Sequence, residues 1–476
     1  MKYLKPISLA TLPFLVVLVI VMLAVPCGST AGEQVETTSD DQTDVAITIY
    51  NDGTGLVKDT RSLELPNGEF DLIFMDVAAN IDPTSVHFIS RTNPDAIGVL
   101  EQNYEYDLVD TAKLYQRHID HHISVRTEDG RTIEGTLLSN SGGMVISTEN
   151  GIVIVNDVVE VSFEELPEGL MTRPTLRWSL LCNRAGRHDC EMSYLTSGMG
   201  WIANYVAIVG PNDDRLDLSG WVTITNNSGT NYNDATLKLV AGDIHRVRPQ
   251  YDMAATGYLR EGFGAPGGGG FEEESFFEYH LYTLQRPATV LNNQQKQLSL
   301  LEGENIGVTK ILIFQPGGRY YNRGDSVEGK IRVSLEFMNS EANGLGIPLP
   351  KGTLRVYKED SSGALQFIGE DSIDHTPKDE KIEIYLGEAF DIVGERVVLD
   401  RREVRQGVWE YDVKVTIRNH KDEDVQILYW DYVGGDWEVR NSSLDFTQRD
   451  ASTIEFKIPV EANGETDLTY TIRQEW

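Results

Sequence analysis

Between Pro174 and Asp243, apolar and polar residues alternate through five short runs: Leu176–Leu181, Met192–Thr196, Trp201–Val209, Leu216–Thr225 and Ala235–Val240. A period of two sends successive side chains to opposite faces of a strand, so each run has one face to bury and one to solvate. The breaks between them carry Asn, Gly and Asp, which supply turns. Strand and turn signals recurring about every ten residues predict an antiparallel sandwich. No nucleophile elbow, phosphate loop or ligand cluster interrupts this stretch.

The same grammar extends in both directions. Upstream, Val45–Tyr50, a turn at Asn51–Gly53 and Gly55–Leu63 read as a hairpin, with further strands at Phe70–Phe74 and Ser85–Ile89. Residues 101–165 form a separate unit. Tyr106–His118 has helical spacing, and five short strands follow with tight turns at Glu128–Gly130 and Glu149–Gly151. A helix followed by five short strands predicts a small SH3-like or Sm-like barrel. Downstream, Ser361–Gly363 sits between two strand runs as a hairpin signal. About seven strands from Lys381 to Trp476 suggest an immunoglobulin-like terminal sandwich. The fold class expected is therefore mainly β and multi-domain: antiparallel sandwiches with a barrel-like module. The boundaries are 1–31 leader, 32–43 flexible tether, 44–100 amino-terminal strands, 101–165 barrel, 166–370 central β domain and 371–476 terminal sandwich. Within the central domain, Gly257–Ser275 is a glycine-rich loop (GAPGGGG followed by acidic residues). It neither follows a strand nor opens a helix, so it lacks the context of a phosphate cradle.

Charge narrows the partners. Against 41 Lys and Arg stand 74 Asp and Glu, a formal net charge of −33. Spread along the chain, that charge repels nucleic-acid phosphates and anionic lipid headgroups, so neither is an expected partner. It fits a well-solvated surface, and it fits adaptation to high salt. Lys2 and Lys5 precede the apolar run Leu12–Val25, and Ser29–Ala31 offers small residues for cleavage. That is the layout of an export signal. The run also approaches the length of an uncleaved anchor, and Cys27 is open to lipidation. All three fates place the rest of the chain outside the cytoplasm, with membrane contact only through the amino-terminal segment. In an oxidising compartment Cys182 and Cys190, which flank the polar turn Asn183–Asp189, are expected to form a structural disulfide.

At this point several pieces converge: IDPTSVHF (Ile81–Phe88), LPEGLMTRPTLRW (Leu166–Trp178), SYLTSGMGWIANYV (Ser193–Val206), LSGWVTITNNSGTNYNDATLKLVAGD (Leu218–Asp243), EYHLYTLQRP (Glu278–Pro287), GIPLPKGTLRVY (Gly346–Tyr357) and VTIRNHK (Val415–Lys421). Together they resemble the exported prokaryotic proteins of the domain of unknown function 4139 family, from about Asp44 to Trp476. The resemblance implies an exported, mostly β protein and brings no reaction and no catalytic residues. The cysteine pair lies outside it.

Candidate chemistry is sparse. His118, His121 and His122 cluster, but structural zinc needs four ligands and His121 and His122 point to opposite faces once a strand begins; no metal and no cofactor is expected. Asp214/Asp217 and Asp371/Asp374 are unremarkable loop pairs in so acidic a chain. No twelve-residue calcium loop and no G-x-S-x-G occurs. Trp178, Trp201, Tyr205, Trp221 and Tyr232 make either a sandwich core or, if exposed, a carbohydrate- or peptide-binding platform; their inward alternation favours the core. Asn226 and Asn441 stand in N-x-S contexts and matter only in a glycosylating host. The expectation is a non-catalytic interaction or scaffold protein with an envelope protein or a glycan as partner. The alternative is an enzyme or carbohydrate-binding module acting on envelope polysaccharide or peptide.

Overall fold

A computed structural model describes residues 33–105, 109–167, 170–242, 271–317 and 322–475. The leader with Cys27 and the glycine stretch up to residue 270 lie outside the described residues, as do 106–108 of the expected helix. The chain is mainly β, in several packed sheets.

Six strands open the fold: Glu33–Thr37 (β1), Gln42–Tyr50 (β2), Thr54–Leu65 (β3), Gly68–Met75 (β4), His87–Ser90 (β5) and Ile97–Glu105 (β6). Residues 33–43 are therefore built into the fold and do not form the expected tether. β1 runs parallel to β4 from Glu33↔Phe70 to Thr37↔Phe74. A 3-10 turn over Ser39–Asp41 then follows, closed by a capping box between Thr38 and Asp41. The polar composition that reads as a tether is the composition of an edge strand and a capped turn.

Next come a helix, Thr111–Arg117 (α1), and the strands His122–Thr127 (β7), Thr132–Ser139 (β8), Met144–Thr148 (β9), Gly151–Val155 (β10) and Val158–Phe163 (β11). They form one five-stranded antiparallel sheet in the order β10-β9-β8-β7-β11. The expected barrel does not close, because β10 and β11 end on opposite edges and do not pair. Bulges in β8 and β11 curve the sheet around a small core of Ile123, Val125, Leu137, Met144, Ile146 and Val155. Six buried side chains suffice for a curved sheet with a helix packed on it; Tyr115 of α1 meets Phe163 at 5.9 Å.

Eight more strands follow: Thr175–Cys182 (β12), Gly186–Ser197 (β13), Met199–Val209 (β14), Arg215–Asn226 (β15), Tyr232–Ala241 (β16), Phe271–Phe276 (β17), Tyr279–Leu284 (β18) and Ala288–Val290 (β19). The alternation read at Leu176–Leu181 is realised directly. Leu176, Trp178, Leu180 and Cys182 face the core, while the residues between them are partly or fully exposed, Leu181 included. β12 pairs with β4 on one side and β6 on the other, completing the sheet β1-β4-β12-β6. The facing sheet runs β17-β18-β16-β2-β3-β13-β5. Strands before and after the small module thus build one sandwich, and the module is inserted between the neighbours β6 and β12. The sequence boundaries at 100/101 and 165/166 cut through that sandwich.

The remaining strands are Gln294–Phe314 (β20), Ser326–Met338 (β21), Gly352–Glu359 (β22), Leu365–Ile373 (β23), Lys381–Arg405 (β24), Val408–Asn419 (β25), Val425–Tyr432 (β26), Asp436–Ser442 (β27), Phe446–Asp450 (β28), Thr453–Val460 (β29) and Glu465–Glu475 (β30). Gly363 turns the β22–β23 hairpin at φ +82, a conformation that favours glycine. β20 pairs with β15 through its first half and with β21 and β26 through its second, so one sheet runs on into the terminal sandwich. That sandwich has its own core, including Phe314, Val413, Val415, Tyr429, Phe456 and Ile472. It takes strands from before residue 371, namely the end of β20 and β21.

Candidate functional site

The aromatic residues are core. Trp178, Trp201, Tyr205 and Tyr232 are buried, and Trp221 is half-buried. Their polar atoms close backbone accounts: Trp201 Nε1 donates to Val240 O at 3.3 Å and Tyr205 Oη to Pro350 O at 2.7 Å. With their faces in the core and their polar tips satisfying carbonyls, these four buried residues do not form a platform for a sugar.

The cysteines correct the expected disulfide. Both are free, buried thiols. The strands that end and begin at the turn between them do not pair: β12 belongs to one sheet and β13 to the facing one. Cys182 Sγ donates to Arg184 O at 3.0 Å, and His188, also buried, places Nε2 2.9 Å from the same carbonyl and Nδ1 2.9 Å from Ser90 Oγ. Burial, reinforced by the charge of Asp189, pushes the Cys190 thiol up to about 12. A thiolate is the reacting species, so the folded protein is expected to leave Cys190 unalkylated by iodoacetamide at pH 8. Full modification should appear only in denaturant, as read by intact mass. Rapid native labelling would show that the core opens there.

The histidines of the cluster take different hydrogen-bond partners. His118 is buried with Nδ1 donating to Leu114 O at 2.8 Å, its ring 4.3 Å from that of Phe163. His121 Nδ1 lies 3.1 Å from the Ile119 carbonyl and its ring stands edge-on to that of His118 at 6.1 Å, and exposed His122 stands 3.4 Å from Glu164. Among the described residues no group of three or more His, Cys, Asp or Glu is placed to hold a metal ion. Asn226 is fully buried: Nδ2 donates to Thr230 O and Val290 O, and Oδ1 accepts from the Ser228 amide and hydroxyl. A glycan there would displace the core, which removes Asn226 as an acceptor in the folded chain. Asn441 is exposed on β27.

Two charged constellations escaped sequence reading. A cleft of about 280 Å³ is lined by Ile208, Gly210, Arg215, Asp217, Asn305 and Lys358, among others. Its cations are engaged by protein groups: Lys358 by Asp213 and the Pro211 carbonyl, Arg215 by the Asn305 carbonyl at 3.2 Å. Burial raises the Asp213 carboxyl, but hydrogen bonds and charge from Lys310 (2.5 Å) and Lys358 outweigh it and hold the group below the usual range. This is a joint tying the β14–β15 turn to β20 and β22. In the terminal sandwich, Asp431 is enclosed with Arg396 Nη1 at 3.3 Å and the Tyr470 hydroxyl donating to it. Burial pushes this carboxyl up to about 7 against the pull of Tyr470. Its side chain is fully enclosed, so the carboxyl serves the core.

What remains is the sheet edges. An edge strand exposes unpaired N–H and C=O groups, and proteins blunt it with charge, bulges or shortness. Most edges here are blunted so. β1 carries Glu33 and Glu36, β17 carries Glu272–Glu274, and β5 has four residues. β6, β11, β23, β27 and β28 are each bulged or irregular in register. β10 reads Gly-Ile-Val-Ile-Val, pairs with β9 without a register shift, and holds no charge and no proline. Ile152 and Ile154 are 67% and 65% exposed on its outer face. Among the described edges it alone lacks all of these devices.

No family model matches the chain, and no curated protein matches it. No helix among the described residues is long and apolar enough to cross a membrane.

Proposed function

We propose that this chain is an exported, non-catalytic interaction or scaffold protein of the cell envelope, of the kind its resemblance to the domain of unknown function 4139 proteins implies. The observation that carries the interaction reading is the open β10 edge. Addition of an extended strand to a free edge gives affinity through main-chain hydrogen bonds and specificity through alternate side chains. The charged cleft and the buried Asp431 are occupied by structural partners, and Trp178, Trp201, Tyr205 and Tyr232 are buried, which supports binding by an edge over catalysis or sugar stacking. The amino-terminal apolar run supports export, and the acidic surface supports solubility outside the cell.

Cross-linking mass spectrometry on cells that make the protein, with an acid-directed reagent, tests this. Glu149 and Asp157 flank β10 and report on its neighbours. Reproducible cross-links from them to a second polypeptide, another copy of this chain or another envelope protein, are the expected result. Cross-links confined within single chains, with glycan-bearing peptides recovered in their place, would overturn the reading in favour of polysaccharide binding or cleavage.

A further inference from the structure

The β10 edge has a structure that selects its occupant. β9 and β10 form a hairpin with Thr148 and Gly151 as the closing pair. In a two-residue hairpin that pair exchanges the ladder hydrogen bonds. Residues at odd positions of β10 therefore bond β9, while Ile152 and Ile154 turn their N–H and C=O groups to the open side. Their side chains share the outer face, because residues two apart on a strand do. The sequence about Val153 is palindromic: Ile-Val-Ile.

We infer that β10 pairs antiparallel with β10 of a second copy, about a two-fold axis through Val153. The inference rests on the interaction reading above and names its partner. With Val153 opposite Val153, Ile152 of each copy lies opposite Ile154 of the other, the two residues whose backbone groups are free. Four main-chain hydrogen bonds form, and four isoleucines gather on the outer face as cross-strand β-branched pairs. The far edge of the same sheet cannot serve in an open head-to-tail chain: β11 is bulged at Val159 and its Glu160 is ion-paired with Arg126. The contact is thus isologous and closes at two copies. Beyond the paired residues, Glu149 of one copy faces Asp157 of the other at each end. These like charges, added to the net charge of −33, oppose association. The contact is small, so it is weak at low ionic strength and strengthens as salt screens the repulsion. A basic partner strand would show the opposite salt dependence.

Sedimentation velocity on the full chain tests this at ionic strengths from about 0.01 M to about 1 M, over which the Debye length falls from about 30 Å to about 3 Å. The expected result is a monomer at low salt that doubles in mass with concentration at high salt. The Ile152→Lys/Ile154→Lys variant, whose changes lie on exposed positions, is expected to melt as the wild type does and to stay monomeric throughout. As a second measurement, Val153→Cys places two thiols at the two-fold axis. Opposed Cα atoms of a non-hydrogen-bonded pair lie about 4.5 Å apart, within disulfide reach. Mild oxidation with a small disulfide is expected to yield a covalent dimer through Cys at 153, with two thiols oxidised and the small disulfide reduced. A wild-type monomer at every salt and concentration would overturn the inference, as would a dimer that persists in the lysine variant. Either result leaves the interaction reading to be decided by cross-links from Glu149 and Asp157 to other envelope chains, so the two failures are distinct.

Discussion

Replacing Arg61 by alanine is expected to destabilise the amino-terminal sandwich by about 3–5 kcal/mol. Arg61 is 0% exposed and its partner Asp59 5%. The guanidinium donates through Nη2 to Asp59 Oδ2 and to Met75 O, both at 2.9 Å, and lies 3.6 Å above the Phe74 ring. Alanine removes all three contacts and leaves the Asp59 carboxylate in the core without its counter-charge. The loss of one partner, more than the worth of the pair, sets the cost. Urea unfolding with hydrogen-exchange protection of β3 and β4 as the readout measures it. An Arg61→Met/Asp59→Leu double variant should recover most of the loss, since packed apolar groups often replace a buried pair without penalty. A single variant costing less than about 1 kcal/mol would mean that Asp59 finds water, and that this corner of the core is wet.

Trp178→Ala is expected to cost about 3–5 kcal/mol in the same sandwich. The indole is fully buried, edge-on to Phe74 with ring centres 5.8 Å apart and tilted against Phe88 at 4.9 Å. Its Nε1 donates to Gln102 Oε1 at 2.9 Å. Phe74 lies on β4, Phe88 on β5 and Gln102 on β6, so one side chain ties both sheets and the strand that leads into the inserted module. Alanine leaves a cavity lined by aromatic rings that cannot collapse far. The measurement is again urea unfolding, with exchange at β6 and β12 compared with exchange at β25 and β30. Protection lost at β6 and β12 and kept at β25 and β30 is the expected pattern. Equal loss at β25 and β30 would show that the two cores unfold as one unit, against their separation into distinct clusters.

Strand positions were largely legible because alternation is a local signal. Trp201–Val209 in the sequence became Met199–Val209 in the fold, and Leu216–Thr225 became Arg215–Asn226. Inward parity was legible too: Cys182 shares it with Trp178, and Cys190 with Met192. Sheet membership was not. The Asn183 corner looks in sequence like a hairpin turn, yet it carries the chain across the sandwich, and no local residue distinguishes the two paths. The buried Asn226 shows the limit for sites. Its sequon reads as a surface loop, and only the Val290 carbonyl brought from β19 explains why an amide belongs there.

The sequence by itself determined a mainly β chain, where most of its strands lie, which of their faces turn inward, and the uncharged Ile-Val-Ile of β10. These follow from side-chain periodicity and turn chemistry, which act over a few residues. Only the tertiary structure decided that β6 and β12 are neighbours with a module inserted between them, and that the two cysteines sit in facing sheets. It alone left β10 on an open edge. Those outcomes depend on which strand edges meet, and pairing between distant segments is set by the packing of whole sheets, which no local pattern encodes.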